Sequence, residues 1–192
     1  MTGLLASSAT GRKLRPCLLV KGDPTRPIES IAGTQTLFSE KGWMTQRLFI
    51  KWVDFEFPFV RPNKILLVFD SARSHLAETV KEHLHRRGIL FAVIPGGLTS
   101  LLQPCDVVWF KPLKTHLERS IDEWKSGGGH SLTRSGRPRP PTIDDMANWL
   151  ASGWAAMNEQ MLARSFDRCF LGDILFLHIA YIHYTAPCSD RV

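Results

Sequence analysis

The run from Lys64 to Lys114 does most to limit what this chain can become. Ile65 to Phe69 is a short, unbroken apolar stretch ending at Asp70, the pattern of a strand buried on both faces. Ser74 can cap a following helix whose Leu76, Val80 and Leu84 recur at i, i+4 and i+8. Glu78, Lys81, Glu82, His85 and Arg86 take its wet side, and Gly88 stands where a helix C-terminus wants glycine. Ile89 to Ile94 reads as a second buried strand, stopped by Pro95-Gly96-Gly97. A strand–helix–strand unit of this length predicts parallel strands joined by a right-handed crossover, so the fold class is α/β.

In open α/β sheets the chemistry lies outside the carboxyl ends of the strands. Asp70 ends the first strand and Asp106 follows the second, so both carboxylates are expected on one rim. Two such groups repel unless a cation or a shared proton neutralises them. Hard oxygen donors suit Mg²⁺ or Mn²⁺, and that arrangement serves in-line displacement at phosphorus. The plainer reading makes Asp70 a strand-end cap and Asp106 a helix N-cap. Ser71 and Ser74 lack a Gly-x-Ser-x-Gly elbow, which disfavours a serine hydrolase. Cys105 has no thiol-protease setting and reads as packing, and the four scattered cysteines read as free thiols.

The segments LLVFDSARSHL and VIPGGLTSLLQPCDVVWFKPLK, preceded by ATGRKLRPCLLVKG and KGWMTQRLFIKW and followed by NEQMLARSFDRCF, resemble one family. It is the DDE-superfamily endonuclease of the pogo/Tigger/jerky branch of mariner-like transposases, and the resemblance covers roughly residues 2–172. It implies a ribonuclease-H-like mixed sheet flanked by helices, and three metal-binding aspartates. Asp70 matches the second of these and Asp106 the third. The first belongs on an opening strand ahead of the hairpin that starts near Thr2. The expectation is therefore an N-terminally truncated domain with its first strand missing and a sheet edge left unpaired. Asp23, in the loop-like KGDPTRP, is a poor substitute for the absent carboxylate. Mg²⁺ or Mn²⁺ is the implied cofactor, held by Asp70 and Asp106 weakly or not at all. His75 and Gln103 are expected to neighbour these carboxylates, although a His near a helix start is more often a satisfied structural donor.

The formal net charge is +6, which favours an acidic partner such as nucleic acid or simply a soluble surface. Lys111 and Lys114, three apart on a helix predicted over 107–124, lie close enough to Asp106 to meet DNA phosphates. Residues 125–141, KSGGGHSLTRSGRPRPP, have linker composition with Arg134, Arg137 and Arg139 and no acid, and can hold a phosphate backbone without reading bases. The expected organisation is an incomplete core over 1–124, this linker, a closing helix within 142–172 opened by a Thr142/Asp145 capping box, and an atypical tail over 173–192. Ile174 to Tyr184 is apolar but about half the length of a membrane span, and residues 1–9 lack the features of a secretory leader.

The expected function is a nuclear, transposase-derived domain that binds DNA through its phosphate backbone without cutting it. One alternative is an active Mg²⁺-dependent endonuclease whose third carboxylate comes from elsewhere. The other is a non-catalytic protein-interaction fragment, pairing with itself or with another nuclear protein.

Overall fold

The opening hairpin follows from its sequence. Strand β1 (Thr2–Ser8) pairs antiparallel with β2 (Cys17–Lys21), placing Leu4 opposite Cys17. Gly11 turns the chain between them at φ +86°, and a Cβ there would lie 2.1 Å from the Glu159 carbonyl oxygen, so no other residue fits. In this computed structural model, residues 2–60, 62, 64–127, 133–136 and 139–169 are described, with the backbone of 177–182.

Residues 23–42, turn-rich and without apolar alternation in the sequence, form β3 (Glu29–Ile31) and β4 (Thr34–Ser39). All six β4 residues are buried, and four of them are Thr34, Gln35, Thr36 and Ser39. Local partners make this tolerable: the Thr34 and Thr36 hydroxyls bond at 3.2 Å, and the Gln35 amide donates to Glu56. Helix α1 (Gln46–Glu56) starts at Thr45, whose hydroxyl accepts the Leu48 N–H, and it buries Leu48, Phe49, Trp52 and Val53.

The central unit is built from β5 (Leu66–Asp70), α2 (Arg73–Leu76), α3 (Glu78–Arg86) and β6 (Leu90–Ile94), with β5 and β6 parallel. Three details differ from expectation. The helix is broken at Ala77, which adopts extended ψ 138°, so Ser74 lies inside α2 and caps nothing. Leu76 is left outside the buried stripe, which Val80 and Leu84 keep. Strand β6 is an edge rather than a buried strand: Leu90 and Ala92 face solvent while Phe91 and Val93 pack on the core. A continuous apolar run does not distinguish these two cases.

After α4 (Thr99–Leu102), Cys105–Trp109 make a π-helical turn in which the Phe110 N–H reaches back five residues to the Cys105 carbonyl. Helix α5 (Phe110–Ser126) continues from it. Pro112 has no N–H to donate, and it falls where the wide turn gives way to the ordinary ladder. The closing helix is two helices, α6 (Ile143–Ala155) and α7 (Glu159–Cys169), rather than one. The Thr142/Asp145 capping box opens α6, and the side-chain Oδ1 of Asn158 accepts the Gln160 N–H at 2.7 Å to open α7.

Among the described residues the sheet order is β3-β4-β2-β1-β7-β5-β6, where β7 is Leu177–Ile182. Strand β7 runs antiparallel to β1, with Leu5 opposite Ala180, and parallel to β5, with Val68 opposite His178. The edge of β1 expected to lie unpaired is thus covered by a segment that the sequence assigned to the tail. The sheet separates two cores. One packs β1, β2, β4 and β5 against α1 and α3 around Phe49, Trp52 and Phe69. The other packs Leu5 and Leu18 against the π turn and α5 to α7 around Trp109, Leu113 and Trp154.

Candidate active site

Asp70 is the last residue of β5, so the strand delivers its side chain to the rim beyond the sheet. Its Oδ1 accepts the Ala72 N–H at 3.1 Å and the His75 Nδ1–H at 2.9 Å, a carboxylate having nothing to donate. His75 is 1% exposed, with its ring 4.6 Å from that of Phe49 and 5.1 Å from that of Phe69, centroid to centroid. The packed imidazole thereby fixes one oxygen of Asp70. Burial by itself pushes the Asp70 carboxyl up, but the His75 hydrogen bond and charge and the Ala72 N–H together hold it below the ordinary value.

Asp106 is the second residue of the π turn. Trp109, at the end of that turn, is fully buried and donates its indole N–H to Ser165 of α7 at 2.8 Å, which anchors the segment. Burial raises the Asp106 carboxyl, the charge of Asp70 raises it further, and Lys114 opposes both. The two carboxylates are therefore electrostatic neighbours, and Lys114 belongs to the same field. Cys105, the residue before Asp106, is fully buried, and desolvation first, then the charge of Asp106, push its thiol up.

The remaining candidates divide. Gln103 is 2% exposed, lies two residues ahead of the π turn, and its Oε1 has no hydrogen-bond partner among the described residues. Lys111 and Lys114 are both exposed on the first turns of α5, and Lys114 Nζ also lies 5.7 Å from the Phe110 ring centroid. Arg134 and Arg139 are exposed, with no ion pair to the rim among the described residues, and Arg137 lies outside those residues. Asp23 is spent on a local turn, its Oδ1 accepting the Thr25 N–H and hydroxyl. It follows β2, three strand spacings or roughly 14 Å from β5. The clamp of Phe49 and Phe69 on His75 had no sequence signal, since aromatics at helical and strand spacing read as ordinary core.

Asp70 Oδ2 and both Asp106 oxygens carry no hydrogen bond among the described residues. Hard, open oxygens on two elements fit a small divalent cation, which commonly takes one or two carboxylates and completes its shell with water and phosphate oxygens. No group of three or more His, Cys, Asp or Glu suited to a metal ion occurs among the described residues.

A mixed sheet with helices on both faces, and Asp70 at the carboxyl end of the parallel strand β5, places the chain in the ribonuclease-H-like fold class. The chain belongs to the DDE superfamily endonuclease family, whose profile matches residues 1–166. It is similar to "Pogo transposable element with KRAB domain" of Mus musculus, at 27% identity over 92% of this chain and 31% of that protein. The Homo sapiens protein of the same description is 27% identical over 91% of this chain and 29% of its own length. "Pogo transposable element with ZNF domain" of Homo sapiens is 28% identical over 64% of this chain and 9% of its own length. The chain spans less than a third of the length of these relatives. Among the described residues no helix is long and apolar enough to cross a membrane.

Proposed function

We propose that this transposase-derived DDE domain binds DNA in the nucleus through the phosphate backbone and does not itself cut it. One observation carries the reading. The open side of the β1–β2 hairpin, where the resemblance expects an opening strand carrying the first metal-binding aspartate, is taken by Leu-His-Ile-Ala-Tyr-Ile of β7, which has no carboxylate. Asp70 and Asp106 would hold Mg²⁺ or Mn²⁺ as a pair, with Lys114 moderating their charge. A bound cation would supply a Lewis acid at phosphate oxygens. With two carboxylates rather than three, fewer protein ligands fix its position, and affinity falls accordingly. Backbone affinity then comes from Lys111 and the linker arginines Arg134, Arg137 and Arg139, on a chain of net charge +6.

The open oxygens of Asp70 and Asp106 favour one second reading, an active enzyme whose third ligand arrives from another segment or chain. Binding of labelled duplex DNA across a salt series in EDTA, beside nicking of supercoiled plasmid in Mg²⁺ and Mn²⁺, separates the two. Salt-sensitive binding without nicking is the expected result. Metal-dependent nicking abolished by Asp70→Ala would establish the enzyme instead. Neither binding nor nicking would leave a protein-interaction fragment.

A further inference from the structure

An open cleft of about 430 Å³ lies beside the Asp70 rim, lined by Met44, Thr45, Gln46, Arg47, Arg73 and Ser74. Its two walls come from different elements. One is the N-terminal turn of α1, the other is α2, which begins three residues after Asp70. The walls are tied nearby, where the Thr79 hydroxyl of α3 donates to Gln46 Oε1 at 3.3 Å.

The charge in this cleft is of one sign. Arg47 and Arg73 are both exposed, and neither enters an ion pair among the described residues, whereas Arg26, Arg87 and Arg119 each find a carboxylate. Asp70, the acid nearest Arg73 along the chain, is engaged by His75 through Oδ1 and makes no ion pair with Arg73 among the described residues. The cleft also receives the free N–H groups at the start of α1, where Thr45 satisfies only the Leu48 N–H and the helix end is partly positive. Guanidinium forks are shaped for phosphate oxygens, and two of them from separate walls define a seat rather than a diffuse patch.

We propose that Arg47 and Arg73 form a phosphate seat that holds a nucleic-acid backbone next to the Asp70 rim. The inference rests on the DNA-binding reading and adds a location to it. Because α2 continues directly from β5, a strand gripped here passes the carboxylates rather than lying on a remote face. The seat contacts no base and confers no sequence preference.

The test uses the full chain and a fluorescein-labelled duplex, with anisotropy read across a salt series. Arg47→Gln with Arg73→Gln removes two phosphate contacts. Counterion release then predicts a slope of log affinity against log salt shallower by about 1.8, and roughly 30-fold weaker binding at physiological salt. Both residues are exposed, so the melting temperature of the double variant should match the wild type. Arg47→Lys with Arg73→Lys should recover part of the loss. In parallel, inorganic phosphate is titrated while the Arg47 and Arg73 Nε–H resonances are followed, and both should shift together. A double variant with unchanged slope would overturn the seat while leaving DNA binding intact. Wild-type protein that ignores DNA but takes phosphate at this pair would instead sink the DNA reading and keep the anion seat. Failure of both measurements would remove both.

Discussion

His75→Leu isolates the contact that positions Asp70. Leucine keeps an apolar body between Phe49 and Phe69 but has no donor for Asp70 Oδ1, now 2.9 Å from the ring nitrogen. A hydrogen bond to a charged group contributes about 1.5–3 kcal/mol. For a chain of this size each kcal/mol moves the melting temperature by about 2–4 °C, so the variant should melt roughly 3–12 °C lower at about pH 6. The sign with pH follows from Asp70, whose carboxyl is held below its ordinary value of 3.8. Its contribution is complete above that value and is lost as pH falls through the depressed one. The gap between wild type and variant must therefore narrow in acid. In the variant, burial is opposed only by the Ala72 N–H, so its own stability should depend less on Asp70 ionisation or reverse in slope. His75→Asn, which puts an amide N–H near the old Nδ1, should recover part of the loss. Urea unfolding at several pH values reads all of this. A gap that stays constant from about pH 6 down to about pH 3, or one under about 0.5 kcal/mol, would refute the argument.

Asp106 behaves oppositely. Its carboxyl is raised by burial and by Asp70, so ionising it costs stability as pH climbs from the ordinary value through the raised one, and the cost persists above. Thermal melts should show Asp106→Asn more stable than wild type at neutral pH, with the difference fading in acid. Lys114→Gln should enlarge the cost, because Lys114 is what offsets it. Gly153→Ala tests the contact of α6 on α5. Its Cβ would fall 2.7 Å from His116 Cδ2 and 2.8 Å from Leu113 Cδ1, so urea unfolding should show a loss of about 1–3 kcal/mol, partly relieved by adding His116→Ala.

The sequence revealed elements whose local signals agreed with their tertiary setting. Asp70 at a strand end, the Thr142 cap and the β1–β2 hairpin all rest on short-range rules that packing did not override. Strand β4 stayed hidden because its buried Thr, Gln and Ser side chains erase the apolar alternation. The break at Ala77 and the division of α6 from α7 were invisible because the apolar period runs across both. Of the candidate site, the two carboxylates and His75 were legible from residue type and spacing. The Arg47–Arg73 cleft was not, since it joins residues from two helices that only the fold brings together.

The place of β7 also dictates an order of events during synthesis. Strands β3-β4-β2-β1 form one half of the sheet and β5-β6 the other, and the two are hydrogen-bonded to each other only through Leu177–Ile182 among the described residues. That strand leaves the ribosome after every other described strand, so at about 5–20 residues per second the nascent chain holds two open half-sheets for several seconds. Throughout that interval the backbone groups of β1 and β5 that β7 will satisfy are exposed to any passing extended segment.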